Sequence, residues 1–289
     1  AYLAALAAGG AAALAWAEAP LLGRIALADL AATLVVFGFA TALQNSSVYD
    51  PYWSVAPVVI AAALVFGVEG PAPVERQALV LAAITVYGAR LTWNWARGWR
   101  GLAHEDWRYV QLREKTGRAF PFVNLLGIML LPTALVYLGV TPLVPALVHG
   151  DADAGRLDGL AAAVVLLGTA LEATADRQLR RFAETRPHRA AVMDQGLWAW
   201  SRHPNYLGEL LVWVGCWLFG LASGALAPWM AAGPLAMVAL FLGISIPMME
   251  RRQRATKPGY AAYAARTPVL LPWPLPPRAR GSAGGRSSE

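Results

Sequence analysis

The 289-residue chain is poor in charge. Asp, Glu, Lys and Arg make up 15% of it, against about 25% in ordinary soluble domains. It has a single cysteine, Cys216, which excludes a disulfide scaffold. Four histidines, His104, His149, His188 and His203, leave little for a haem or multi-histidine metal site, and no Cys or His set has zinc spacing. There is no Gly-x-Gly-x-x-Gly after a strand and no phosphate loop, so a nucleotide would have to bind between helices and not on a Rossmann sheet. Lysine is nearly absent, at two against 22 arginines. With so much alanine, that ratio looks like codon bias, and arginine identity by itself carries little information. The chain is instead 57% apolar, with a mean hydropathy of +0.44. Disorder requires low hydrophobicity and high charge, so it is excluded. A soluble fold would have too few charges to cover its surface. The expectation is an all-α polytopic membrane helix bundle.

A membrane helix needs roughly 20 mostly apolar residues. Apolar runs occur at about 2–16, 25–43, 53–68, 77–95, 122–138, 157–175, 206–221 and 228–248. They predict seven or eight transmembrane helices with short cytoplasmic interfacial helices between them. The first run is short and ends in Ala15-Trp16-Ala17, which passes for a small-residue cleavage site. No basic region precedes it, and it is kept as a span. Residues 1–271 then form a single integral membrane domain. Residues 272–289, rich in Pro, Gly, Ser and Arg, read as a disordered cytoplasmic tail. Of the 24 basic residues, 20 lie in three segments: 97–118, 177–202 and 251–286. If every run crosses, all three segments fall on one side, and the positive-inside rule makes that side, with the C-terminus, cytoplasmic. Basic loops also occur in nucleic-acid binders, but no accompanying motif supports such a partner here. Topology alone would account for them equally well.

Polar residues gather in five places. The most informative is Ser201-Arg-His-Pro-Asn-Tyr-Leu-Gly-Glu209. Pro204 suits a first helical position, and the free N–H groups behind it, with Arg202 and His203, make a site for a phosphate or carboxylate. Asn205 and Glu209 share a face with Tyr206 beside them. Glu209 lies in an apolar run, where a charge costs roughly 2.5–3.5 kcal/mol and faces a partner or cavity. An interfacial cap with a snorkelling arginine is the plainer reading. Glu172, Asp176 and Arg180 follow at four-residue spacing. They form either a surface ion pair or a set that accepts ribose hydroxyls while arginine holds a phosphate. Glu250, Arg254, Tyr260 and Tyr263 follow the last run, as a lipid-attracted basic stretch or as part of the same mouth. His104–Arg113 and Gln44–Asp50 complete the set. From these, Tyr49, Asp50 and Asp106 are the candidate proton donors, although solvated loops and interfacial anchors explain both segments as well. Arg90, inside the fourth run, needs a partner, for which Glu172 or Asp50 are candidates.

With these residues assembled, the chain resembles the steroid 5-alpha-reductase-like membrane family, and within it an uncharacterised bacterial branch. The resemblance is carried by 45–53, Asp106–Tyr109, Glu172–Gln178, Gly196–Glu209 and 246–272. It implies a helical domain holding NADPH in a cytoplasm-facing cavity of a bacterial inner membrane. It also implies hydride transfer to an activated C=C bond of a lipid such as a 3-oxo-4-ene steroid. In that family the Asn and Glu of Asn-x-x-Gly-Glu contact the cofactor, which carries over to Asn205 and Glu209. A preceding acid and arginine carry over to Asp176 and Arg180. The steroid enzymes place a Gln-Glu pair near the second span and a tyrosine in the third. Here no Gln-Glu pair stands in Gln44–Asp50, and Tyr87 is only a rough counterpart of the tyrosine.

Arg202-His-Pro-x-Tyr206 is also similar to membrane methyltransferases acting on isoprenylcysteine or phospholipids with S-adenosylmethionine. Glu209 directly after Gly208 favours the reductase. A transporter or lipid-binding protein is the non-enzymatic alternative. The partners implied are a lipid-soluble small molecule and membrane lipids. The sequence leaves the lipid and the oligomeric state open.

Overall fold

In the computed structural model, residues 1–271 are described, and the tail expected at 272–289 lies outside them. Among the described residues the regular structure is helical throughout. The elements are α1 (Tyr2–Ala15), α2 (Leu21–Ala42), α3 (Tyr52–Gly67), α4 (Val74–Gly98), α5 (Trp107–Thr116), α6 (Phe120–Val123), α7 (Leu131–Val140), α8 (Arg156–Thr185), α9 (Pro204–Ala222), α10 (Ala232–Leu240), α11 (Ile246–Thr256) and α12 (Tyr260–Arg266). Wider π-helical turns at Asn124–Leu130, Pro145–His149 and Phe241–Ser245 adjoin the shorter helices. Proline accounts for the first of these: Pro132 lacks the N–H that would bond the Ile128 carbonyl, so the regular ladder gives way there.

Among the described residues, six segments are long and apolar enough to cross a bilayer: Leu21–Ala42, Ser46–Gly67, Trp107–His149, Arg156–Thr185, Pro204–Ala222 and Pro228–Thr256. The other two runs expected to cross fall outside that set for different reasons. The helix α1 has 14 residues, short of a bilayer's width. The helix α4 has 25 residues and is about 37 Å long, but Glu75, Arg76, Arg90 and Arg97 lower its hydropathy.

The residues divide into two compact units, Ala1–Ala170 with Glu209–Leu240, and Leu171–Gly208 with the chain from Phe241 onward. In the first unit, α4 runs between two polar ends. At its start, the fully buried Arg76 donates to Asp158 at 2.7 and 3.2 Å and to the carbonyls of Asp153 and Ala222. Gln77 donates to the Leu147 carbonyl at 2.8 Å. Beyond its end, Asn45 donates to the carbonyls of Leu102 and His104 at 2.8 and 3.0 Å, and Ser46 N donates to Glu105 at 2.7 Å. The helices α3 and α4 cross closely at Gly88, where a Cβ would fall 2.5 Å from the Ser54 carbonyl oxygen. The core between the ends holds Trp213, Tyr49, Tyr87, Phe219, Leu64 and Met129.

Two readings of the sequence change here. Gln44–Asp50, treated as a solvated loop, is buried from Asn45 to Tyr49. Arg76, which lies just before the run at 77–95 and outside the three basic segments, is a buried cation paired with Asp158 and not a solvated loop charge.

Candidate functional site

The second unit carries most of the residues singled out in the sequence. Its frame is a turn at Gly196–Ala199 pinned to α8. Gly196 adopts φ of +58°, and Leu197 N donates to Gln178 Oε1 at 2.9 Å. Trp198 packs with Ala175 and Met193 and donates from Nε1 to the Ala175 carbonyl at 3.1 Å. From the other side, Tyr263 Oη donates to the Trp198 carbonyl at 2.6 Å. Arg202 N donates to the Pro268 carbonyl at 2.9 Å and Ser201 Oγ to the Val269 carbonyl at 3.2 Å. The chain after α12 therefore fixes the residues that lead into α9. As its position in the sequence predicts, Pro204 opens that helix.

Glu250 is the hub. Its Oε1 lies 2.9 Å from Arg202 Nε and 3.4 Å from His203 Nε2, and its Oε2 lies 3.6 Å from Arg254. The Arg202 contact is an ion pair by distance only, because Nε has no hydrogen-bond partner in line with its N–H. Arg202 Nη1 donates to the Ala264 carbonyl at 2.8 Å. The His203 ring stacks on Tyr206 at 5.4 Å, and Tyr206 on Phe241 at 4.7 Å. Burial lowers the His203 pKa below the ordinary imidazole value, Glu250 opposes that and Arg202 adds to it, so the ring is neutral at pH 7. Burial and the Glu250 carboxylate push the Tyr260 phenol up to about 12. Burial, then Tyr260, raises Tyr263 as well. Arg254 lies over the Tyr260 ring at 5.7 Å. Arg202 and Arg254, two of the cations available to meet a cofactor phosphate, are thus already answered by an internal carboxylate. An anion bound there would compete with Glu250 or share its partners.

Asn205 stands at the start of α9. Its Nδ2 is 3.5 Å from Asp176 Oδ1. Its Oδ1 is buried and has no hydrogen-bond partner among the described residues. Asp176 lies on α8 one turn after the buried Glu172 and one turn before Arg180. A buried amide oxygen without a donor costs free energy unless something meets it. The residues present suit a nucleotide: an open acceptor, carboxylates for hydroxyls, and arginines for phosphates.

Glu209 belongs to the first unit. It is buried, and its Oε1 accepts from Tyr87 Oη at 2.7 Å and from Trp213 Nε1 at 3.0 Å. Tyr87 is fully buried and meets the Trp213 ring edge-on at 6.4 Å. The sequence left Tyr87 as a rough counterpart only. Its available signal was the buried stripe Val80, Ile84, Tyr87 on α4.

The three candidate proton donors also lie in the first unit, with different duties. Tyr49 Oη donates to the Met129 carbonyl at 3.0 Å and sits 2.8 Å from Thr133 Oγ1. Asp50 Oδ1 accepts from Tyr109 Oη at 2.5 Å. Asp106 caps α5, accepting from Arg108 N at 2.9 Å and pairing with its guanidinium. Asp106 N in turn donates to Ser47 Oγ at 2.8 Å. The two polar segments read separately from sequence are therefore one assembly.

No solved structure matches this chain. The uncharacterized protein C594.04c of the fission yeast Schizosaccharomyces pombe is 28% identical over 261 residues, which cover 82% of this chain and 76% of that protein. The model of a family described as a protein of unknown function, DUF1295, matches residues 36–267. That match covers most of the chain, so the chain belongs to the DUF1295 family, which in general terms is the steroid 5-alpha-reductase-like family.

Proposed function

We propose that this protein is a membrane-embedded, NADPH-dependent reductase that delivers hydride to an activated C=C bond of a steroid-like enone lipid. The observation that carries the cofactor reading is Asn205, whose buried Oδ1 awaits a donor beside Asp176 and just after Arg202. Bound NADPH would supply the hydride. Asn205 and Asp176 would accept its N–H or O–H groups. Arg202, Arg180 and Arg254 would answer its phosphates, and Glu250 holds two of those guanidinium groups in place. In the first unit, Tyr87 holds a proton on Oη, directed at Glu209. Polarisation by such a fixed donor contributes a few kcal/mol. Tyr49 donates to a backbone carbonyl and Asp106 caps a helix, whereas Tyr87 and Tyr109 each donate to a carboxyl group, Glu209 and Asp50, that can exchange a proton with them, so Tyr87 and the Asp50–Tyr109 pair are the better acids. The same reading has seven or eight helices crossing a bacterial inner membrane, with the arginine-rich segments and C-terminus in the cytoplasm.

The test is ligand-dependent thermal stability of the purified full chain in detergent, with NADPH, NADH and S-adenosylmethionine compared. A ligand at about 100 times its Kd stabilises by about 2.7 kcal/mol, which is a shift of several degrees. NADPH should give that shift, and Asn205→Ala should lose most of it. A shift with S-adenosylmethionine alone would replace the reductase with a methyltransferase. A shift with none of the three would favour a transporter or lipid-binding protein.

A further inference from the structure

The exposed side of the α3–α4 pair has no part in the chemistry above. A groove of about 360 Å³ runs between the two helices, from Val59 and Thr85 at one end to Trp93 and Ala96 at the other. That is about 16 Å along α4. Its α3 wall is Val55, Val58 and Val59, and Gly88 and Ala89 keep its α4 wall low. At the floor, Ser54 Oγ donates to the Pro51 carbonyl at 2.9 Å, which leaves Thr92 Oγ1 to donate to Ser54 Oγ at 2.8 Å. Each hydroxyl has one proton to give, so this pair asks nothing of an occupant. Tyr87 is fully buried and does not line the groove, which is therefore separate from the Tyr87–Glu209 pair.

What covers the groove follows from its depth and its charge. The helix α3 belongs to the apolar segment Ser46–Gly67, long enough to cross a bilayer. On the same stretch of α4, Val86 and Trp93 are 50% and 65% exposed. Large apolar side chains left open beside a membrane span are covered by lipid. The charge is at one end only. Ala89, Trp93 and Arg97 follow at four-residue spacing on one face of α4, so Arg97 stands just past the Trp93 end of the groove, in the last turn of the helix. It is exposed and pairs with no carboxylate among the described residues. An indole and an arginine at a helix end are the side chains that meet lipid headgroups. The groove is thus apolar along its length and cationic at its mouth, complementary to an amphiphile with an alkyl chain and an anionic head.

We propose that the α3–α4 groove is a binding site for one anionic phospholipid, with an acyl chain lying between Val58 and Ala89 and the phosphate held by Arg97 beside the Trp93 indole. The site rests on these two helices lying in a bilayer. It needs no bound nucleotide and stands apart from the reductase reading.

Photocrosslinking of the full chain in phosphatidylcholine nanodiscs tests it. The probe is phosphatidylglycerol with a diazirine in its acyl chain, compared with phosphatidylcholine carrying the same chain. The phosphatidylglycerol probe should label peptides from 52–67 and 85–97 well above those from α2, another apolar helix, and more strongly than the phosphatidylcholine probe does. Both comparisons use the unsubstituted protein, so they do not depend on a variant folding. Ala89→Phe fills the groove from its exposed face and should abolish the labelling. Arg97→Ala should lower labelling by phosphatidylglycerol about fivefold, the usual worth of one arginine at an anionic surface, and leave labelling by phosphatidylcholine unchanged. Equal labelling of every apolar helix would mean ordinary lipid solvation and overturns the site. Equal labelling by the two probes, or no effect of Arg97→Ala, overturns the anionic occupant. Crosslinks between two copies through α4 in place of lipid would make the occupant a second chain and overturn the proposal.

Discussion

Glu209 receives two hydrogen bonds on one oxygen, from a phenol and an indole, in a part of the chain otherwise built of apolar side chains. A hydrogen bond contributes about 0.5–1.5 kcal/mol net, and leaving its buried partner unsatisfied costs about 1–3 kcal/mol. Tyr87→Phe removes one such bond, keeps the ring and its edge contact with Trp213, and leaves the second-unit residues untouched. It should lower the melting temperature by several degrees. If Tyr87 Oη is the proton that polarises the lipid, kcat should fall by about a hundredfold or more, since a single polarising donor has been worth about that elsewhere. The shift in melting temperature produced by NADPH should survive. Steady-state kinetics beside a melting series separates the two effects. Full turnover in the Tyr87→Phe protein would remove the phenol from the chemistry and return attention to Asp50.

At the scale of elements, the decisive contact is the crossing of α3 and α4. A methyl group at position 88 would meet the Ser54 carbonyl at 2.5 Å and a Val58 methyl at 2.4 Å. Gly88→Ala should therefore push α4 outward, an overpacking that costs about 1–3 kcal/mol. The expected fall in melting temperature is several degrees, with weaker binding of any ligand that depends on Tyr87. An unchanged melting curve would mean that α3 yields at no cost. The run at 77–95 already gave α4 as a helix, but not its true start at Val74, because Glu75 and Arg76 look like loop residues until Asp158 is placed beside Arg76. The loop at 44–50 and the segment at 104–109 looked like separate anchors for the same reason. Their contacts join residues about 59 positions apart, and no local periodicity encodes such a pairing. Pro204 and the Asn205–Glu209 face were legible because each rests on spacing within one helix. Glu250 was legible as a member of the site. Its role as the counter-charge of Arg202 was not, since that depends on how α11 packs.

For the whole molecule, the distribution of charge matters more than its sum. Residues 171–208 and 241–271 hold 11 of the 24 basic residues against five of the 18 acidic ones. The segments at 68–76 and 140–156 hold only two, Arg76 and Arg156, and Arg76 is neutralised by Asp158. Arginine and lysine near the ends of apolar helices resist translocation, so this asymmetry fixes orientation if the helices cross. The chain offers a clean background for testing that, because its one cysteine, Cys216, is buried. Thr256 and Ala152 are both exposed, one beside the basic stretch after α11 and the other between α7 and α8. A membrane-impermeant thiol reagent should label Thr256→Cys in inside-out vesicles and Ala152→Cys in right-side-out cells. Labelling of both from one side would mean that an even number of crossings, not the expected three, separates Ala152 from Thr256. Labelling of Thr256→Cys from the outer side would place the basic stretch beside it outside the cytoplasm, and the reductase reading would fall with the topology that supports it.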